Sequence, residues 1–175
     1  MPRKKKTQTC KQVGPRLLNS CLQAEDTCLM AALATVSGKS LDNILRLADG
    51  AEVVEFCKTE GLLKKLGLEF KPLRDIKGSD DLPNFGIVML SMRDGVRPKY
   101  LTEIAHAVCV LDGLVYDPNI AYPLPVRVYT KYILEPACPH VYTKGKIENL
   151  RFIACYEITS PPPKTLSPEE FWERF

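Results

Sequence analysis

The stretch that most constrains what this chain can become is residues 106–117, HAVCVLDGLVYD. Two short apolar runs flank Asp112-Gly113, a dipeptide that accepts the positive φ angles of a two-residue hairpin turn. The expectation is an antiparallel pair, His106–Asp112 against Leu114–Asp117. Such a pair returns the chain to the edge where it began, so its first and last residues, His106 and Asp117, come within reach of each other. A histidine and an aspartate at those two places ask for a third group.

The other elements divide by position. From Thr27 the apolar residues Leu29, Met30, Ala32, Leu33 and Val36 recur at helical spacing until Gly38. Ser40 caps a second helix with Leu41, Ile44, Leu45 and Leu47 as its apolar set, ending at Gly50. A third helix is expected over residues 51–66, broken or bent near Gly61, with Gly67 turning the chain into a short strand in LGLEFKPL. After a polar loop the character changes. GIVMLSM (86–92) reads as a buried strand and NLRFIACYEIT (149–159) as an alternating one, while VRVYTKYIL (126–134) fits either strand or helix. Helices first and strands second is the order of an α+β domain.

The ends differ from this body. Residues 1–20 form a basic N-terminal arm, and five of the 24 basic residues lie in its first eleven positions: Arg3, Lys4, Lys5, Lys6 and Lys11. The net charge is only +3, which leaves the body near neutrality and argues against a nucleic-acid surface there. Residues 161–175 open with a proline run expected to act as a semi-rigid spacer. A short helix should follow, with Ser167 as cap, Pro168 in the first helical position and Glu170 completing a capping box. Its aromatics Phe171, Trp172 and Phe175 are expected to fold back on the domain's own surface; the alternative is an anchor for a protein partner. The central domain is then 21–160.

No apolar run is long enough for a membrane span and no secretory leader is visible, so the expected setting is cytoplasmic. The seven cysteines are read as mostly reduced thiols. Cys138-Pro-His140 is not a usual ligand spacing, and no metal or cofactor is expected.

The third group lies in LQAEDTCLMAALATV. Cys28 falls at the first turn of the first helix, where unpaired N–H groups and the helix dipole favour a thiolate, and an imidazolium beside it would favour it further. Gln23, five residues earlier, is an amide donor for a developing oxyanion. Cys109 alternates inward and reads as core; Cys21 raises the question of a resolving thiol.

Gln23, Cys28 opening an Ala-rich helix, His106 opening a strand and Asp117 in VYDPN together resemble the papain-like cysteine peptidase superfamily. The nearest likeness is to its bacteriocin-leader (double-glycine) peptidase branch. SGKSLDNILRLA and LLKKLGLEFKPL add to the likeness, which covers residues 20–120. The sequence departs from the family pattern in having Leu29 after the cysteine and a glutamine five rather than six residues before it. The resemblance implies a helical half carrying the nucleophile, packed on an antiparallel sheet. It implies Cys28 as nucleophile, His106 as general base and acid, Asp117 as its orienter and Gln23 in the oxyanion hole. The implied activity is thiol hydrolysis of an amide or isopeptide bond in a peptide or protein substrate. The alternative is a catalytically idle fold serving as a structural or interaction subunit, for example in a phage or bacterial assembly, where it would be virion-associated.

Overall fold

A computed structural model of the chain describes residues 17–19, 21–22, 27–49, 58–73, 76, 79–91, 105–134, 142–143, 146–147 and 152–173. The order of elements is helices α1 (Cys28–Ser37), α2 (Leu41–Leu47) and α3 (Thr59–Lys65), then strands β1 (Phe70–Leu73), β2 (Phe85–Ser91), β3 (Ala105–Leu111), β4 (Leu114–Tyr116) and β5 (Leu124–Pro125). Helix α4 (Val126–Tyr129) follows and runs on as a π-helical turn, Thr130–Leu134. Strands β6 (Tyr142–Thr143) and β7 (Lys146–Ile147) pair with each other, and β8 (Phe152–Ile158) and helix α5 (Pro168–Trp172) complete the chain. Six strands form one sheet in the order β1-β8-β2-β3-β4-β5, antiparallel at every junction. The architecture is α+β, helices in the first half and antiparallel sheet in the second.

The local sequence explains most boundaries. Gly38 ends α1 in the left-handed conformation at φ 67°, and a Cβ placed on it would lie 2.7 Å from Cβ of Pro163, so both the turn and the close approach require glycine here. Ser40 caps α2 by accepting from the Asn43 N–H. Asp112 and Gly113 adopt φ 50° and 77°, the two positive values of a type I′ turn, and join β3 to β4. In β2, any side chain at Gly86 would collide with the Tyr156 carbonyl of β8, so only glycine lets these two strands approach.

Alternation along β2 and β3 gives the sheet two buried faces. Ile87, Met89, Ala107, Cys109 and Leu111 join Leu29, Met30, Leu33 and Val36 of α1 in one cluster. Val88, Leu90, Val108 and Val110 join Tyr129 and Leu134 in a second cluster, under α4 and its π-helical turn. The sheet is therefore the middle of three layers.

Three expectations need correction. Gly61 does not break α3: it is exposed inside the helix, a Cβ built on it would meet nothing within 4 Å, and the buried neighbours Leu62 and Leu63 hold the helix despite it. A glycine in a helix costs only about 0.5–1 kcal/mol, less than two buried leucines return. Residues 51–57, the expected start of that helix, lie outside the described residues. The arm drawn to residue 20 reaches into the core at its end, because Leu17 and Leu18 are buried. The proline run leads α5 back onto the domain, the folding-back expected of its aromatics. Pro163 lies against Gly38, Leu166 bridges to Leu17, and Phe171 is buried with Leu17, Leu166 and Leu114. Helix α5 carries the full Ser167/Glu170 capping box, but Trp172 is 59% exposed and meets Phe171 edge to face. Phe175 lies outside the described residues. Among the described residues no helix is long and apolar enough to cross a membrane.

Candidate active site

His106 stands near the start of β3, on the parity of Val108 and Val110, which face the α4 layer. Asp117 follows β4 directly and its side chain is 4% exposed. The hairpin brings them together: His106 Nε2 lies 2.8 Å from Asp117 Oδ1. A buried carboxylate must have its oxygens occupied, and each one here is. Oδ1 also accepts from the Asn119 N–H at 2.8 Å, and Oδ2 accepts from the Tyr129 hydroxyl at 2.6 Å.

Cys28 comes from the opposite layer, as the first residue of α1. Its thiol is hydrogen-bonded to the His106 ring and receives the backbone N–H groups of Ala107 and Leu29. With Nε2 engaged by Asp117, the nitrogen that meets the sulfur is Nδ1. A chain of side chains thus runs Cys28, His106, Asp117, Tyr129, drawn from α1, β3, the end of β4 and α4.

Its electrostatics are those of an ion pair. Burial pushes the Cys28 thiol up, but the His106 hydrogen bond and charge and the two backbone donors together bring it below its ordinary value. Burial alone would lower His106; the hydrogen bonds and charges of Asp117 and Cys28 outweigh it and raise the imidazole from 6.5 to about 9. Asp117, despite burial, is lowered by His106, Tyr129 and the Asn119 N–H. The other described cysteines contrast with Cys28. Burial lifts Cys109 well above the normal thiol range and Cys155 to about 12, and it raises Cys21 as well.

Cys21 is not placed to resolve Cys28. Its N–H donates to Thr35 Oγ1 and its sulfur meets the backbone of Leu41, both near the far end of α1. Seven residues of helix separate Thr35 from Cys28, an axial rise of about 10 Å. Gln23, Asp26, Cys138 and His140 lie outside the described residues, and among the described ones no group of His, Cys, Asp and Glu could hold a metal ion.

The sequence reading missed Tyr129. VRVYTKYIL is compatible with two secondary structures, and only a helical turn on the second face of the sheet carries that phenol to Asp117. The Asn119 contact had a visible signal, because Asp-Pro-Asn favours a side chain that accepts from the backbone two residues on.

What the arrangement can do chemically is hold a thiolate beside a proton donor whose orientation is fixed from behind. No family model, curated protein or solved structure matches the chain.

Proposed function

We propose that the chain is a papain-like thiol hydrolase that cleaves an amide or isopeptide bond in a peptide or protein through an acyl-enzyme. The observation that carries this reading is the hydrogen-bonded series Cys28–His106–Asp117, assembled from three separate elements, with Cys28 the one thiol among the described cysteines shifted toward thiolate.

The steps follow from the groups in place. The Cys28 thiolate adds to the carbonyl carbon, and the oxygen takes the negative charge. Cys28 occupies the first position of α1, where backbone N–H groups have no acceptor within the helix, so its own N–H is a suitable oxyanion donor. Gln23 is the proposed second donor. As the tetrahedral species collapses, the C–N bond breaks and His106 gives its proton to the departing amine, leaving a thioester on Cys28. His106, now neutral, takes a proton from water, the hydroxide adds to the thioester carbonyl, and the acid departs as the sulfur leaves. Asp117 keeps the imidazole oriented through both halves and stays ionised.

Intact-mass spectrometry with p-nitrophenyl acetate tests the acyl-enzyme. An acetyl adduct should form on Cys28 and turn over in the wild type, and should persist in a His106→Ala protein once formed. A degenerate peptide library, read by mass spectrometry, should gain new termini that disappear with Cys28→Ala. Absence of both the adduct and the new termini would sink the hydrolase reading and favour an interaction subunit built on the same fold.

A further inference from the structure

We infer that Tyr129 is a positioning residue of this site: by donating to Asp117 Oδ2 it fixes the plane of the carboxylate that orients His106. The inference rests on the thiol-hydrolase reading and extends it by one residue.

A carboxylate turns readily about its last side-chain bond, whose rotamer wells are broad and two-fold. Asp117 therefore needs a restraint on each oxygen if Oδ1 is to stay on His106 Nε2. The Asn119 N–H supplies one on Oδ1, at 2.8 Å. Tyr129 supplies the other on Oδ2, at 2.6 Å, and a phenol beside a carboxylate can only be the donor. Tyr129 is itself held: it is 3% exposed, in the cluster with Val88, Leu90, Val108 and Leu134. It is the last residue of α4, and the chain widens into a π-helical turn directly after it. Departures of this kind in a helix concentrate at functional positions.

Among the described residues, the ionisable groups facing this carboxylate are His106 from β3 and Tyr129 from α4; those facing His106 are Asp117 and, from α1, Cys28. A carboxylate turned out of line would hold the imidazolium proton less well, and the thiolate would lose part of its partner. Fewer thiolates would then exist at a given mildly acidic pH.

The experiment is the pH dependence of Cys28 alkylation by iodoacetamide on the full chain, comparing wild type with Tyr129→Phe. The expected result is an acid limb displaced upward by about one pH unit, the scale on which a hydrogen bond to a buried charge acts. A purely structural phenol would lower the melting temperature and leave the limb unmoved, which would overturn the inference. In an Asp117→Asn background the same Tyr129→Phe change should move the limb no further, and a second displacement there would also overturn it. If Tyr129→Phe does not fold, the wild type carries the test. The low-field proton of the Tyr129 hydroxyl should shift when Cys28 is capped with methyl methanethiosulfonate, and indifference to the cap would refute the coupling. A wild-type Cys28 with no acid limb below the ordinary thiol range would bring down the hydrolase reading and this inference together. A normal wild type with an unaltered variant would remove Tyr129 alone.

Discussion

The two faces of the sheet are buried to the same depth and put to different uses. Under α1 the buried side chains are mostly apolar and carry no charge, Leu33 and Ile87 at no exposure and Met30 at 1%, with Thr35 satisfied by the Ala31 carbonyl. Under α4 the same depth holds Asp117, the one carboxylate among the buried polar residues described, with three hydrogen bonds around it. A dry face supplies stability from area. A face with a buried charge gives up some of that gain and obtains a side chain held in one orientation. Cys28 stands where the two meet: it is carried by the dry layer and tuned by the charged one.

Breaking the charged side should have the largest effect. His106→Ala should lower hydrolysis by about 10²–10⁴-fold, the range general acid–base catalysis covers, and return the Cys28 thiol to ordinary reactivity in the alkylation profile. A smaller, purely energetic effect is expected on the other side: Leu33→Ala should cost about 2–5 kcal/mol in denaturant melts and leave the acid limb of that profile where it was. If Leu33→Ala displaced the limb as well, the two faces would not be separable.

The pH dependence sharpens the comparison further. His106 contributes stability in full below its ordinary value of 6.5 and loses it as pH climbs through about 9. Cys28 contributes in the opposite sense: its share is present above the ordinary thiol value of 9.0 and is lost as pH falls through the lowered one. The two offset each other, so the wild-type melting temperature should change little across this window. Cys28→Ala removes one share, and its stability should fall as pH rises from about 6.5, the value of an unperturbed histidine. Hydrolysis should decline on the alkaline side near about 9, where His106 gives up the proton destined for the leaving amine. The smallest effect belongs to Trp172. Exposed and in contact with Phe171, it should cost less than about 0.5 kcal/mol on replacement by Ala, as surface positions do.

What could be read from the sequence was whatever local chemistry decides. Gly38, Ser40, Asp112-Gly113 and the Ser167/Glu170 box each set a turn or a cap through their own side chains or lack of one, and the structure has them at those positions. The His106–Asp117 approach followed from antiparallel geometry alone. Tyr129 was hidden because VRVY has β-branched residues that suit a strand, and packing against the second face decides for a helix. The exposure of Trp172 was not legible because a short helix was expected to bury every aromatic it carries, whereas among the described residues Phe171, at 2% exposure, is the buried one.

The bridge between Leu17 and Leu166 has a mechanical consequence. Leu166 donates to the Leu17 carbonyl, Leu18 donates to the Tyr116 hydroxyl and Cys21 donates to Thr35 Oγ1, three fastenings among the described residues of the segment that leads to Cys28. Tension applied outward from residues 17 and 166 pulls an antiparallel contact from the same side, so it unzips rather than shears. Each of these fastenings is a single hydrogen bond, reinforced at Leu17 and Leu18 by their burial in the core, while the strands of the sheet share load across whole ladders. Under force, or in amide exchange, the expected order is that the backbone at Leu18 and Cys21 opens before the hairpin with His106 and Asp117.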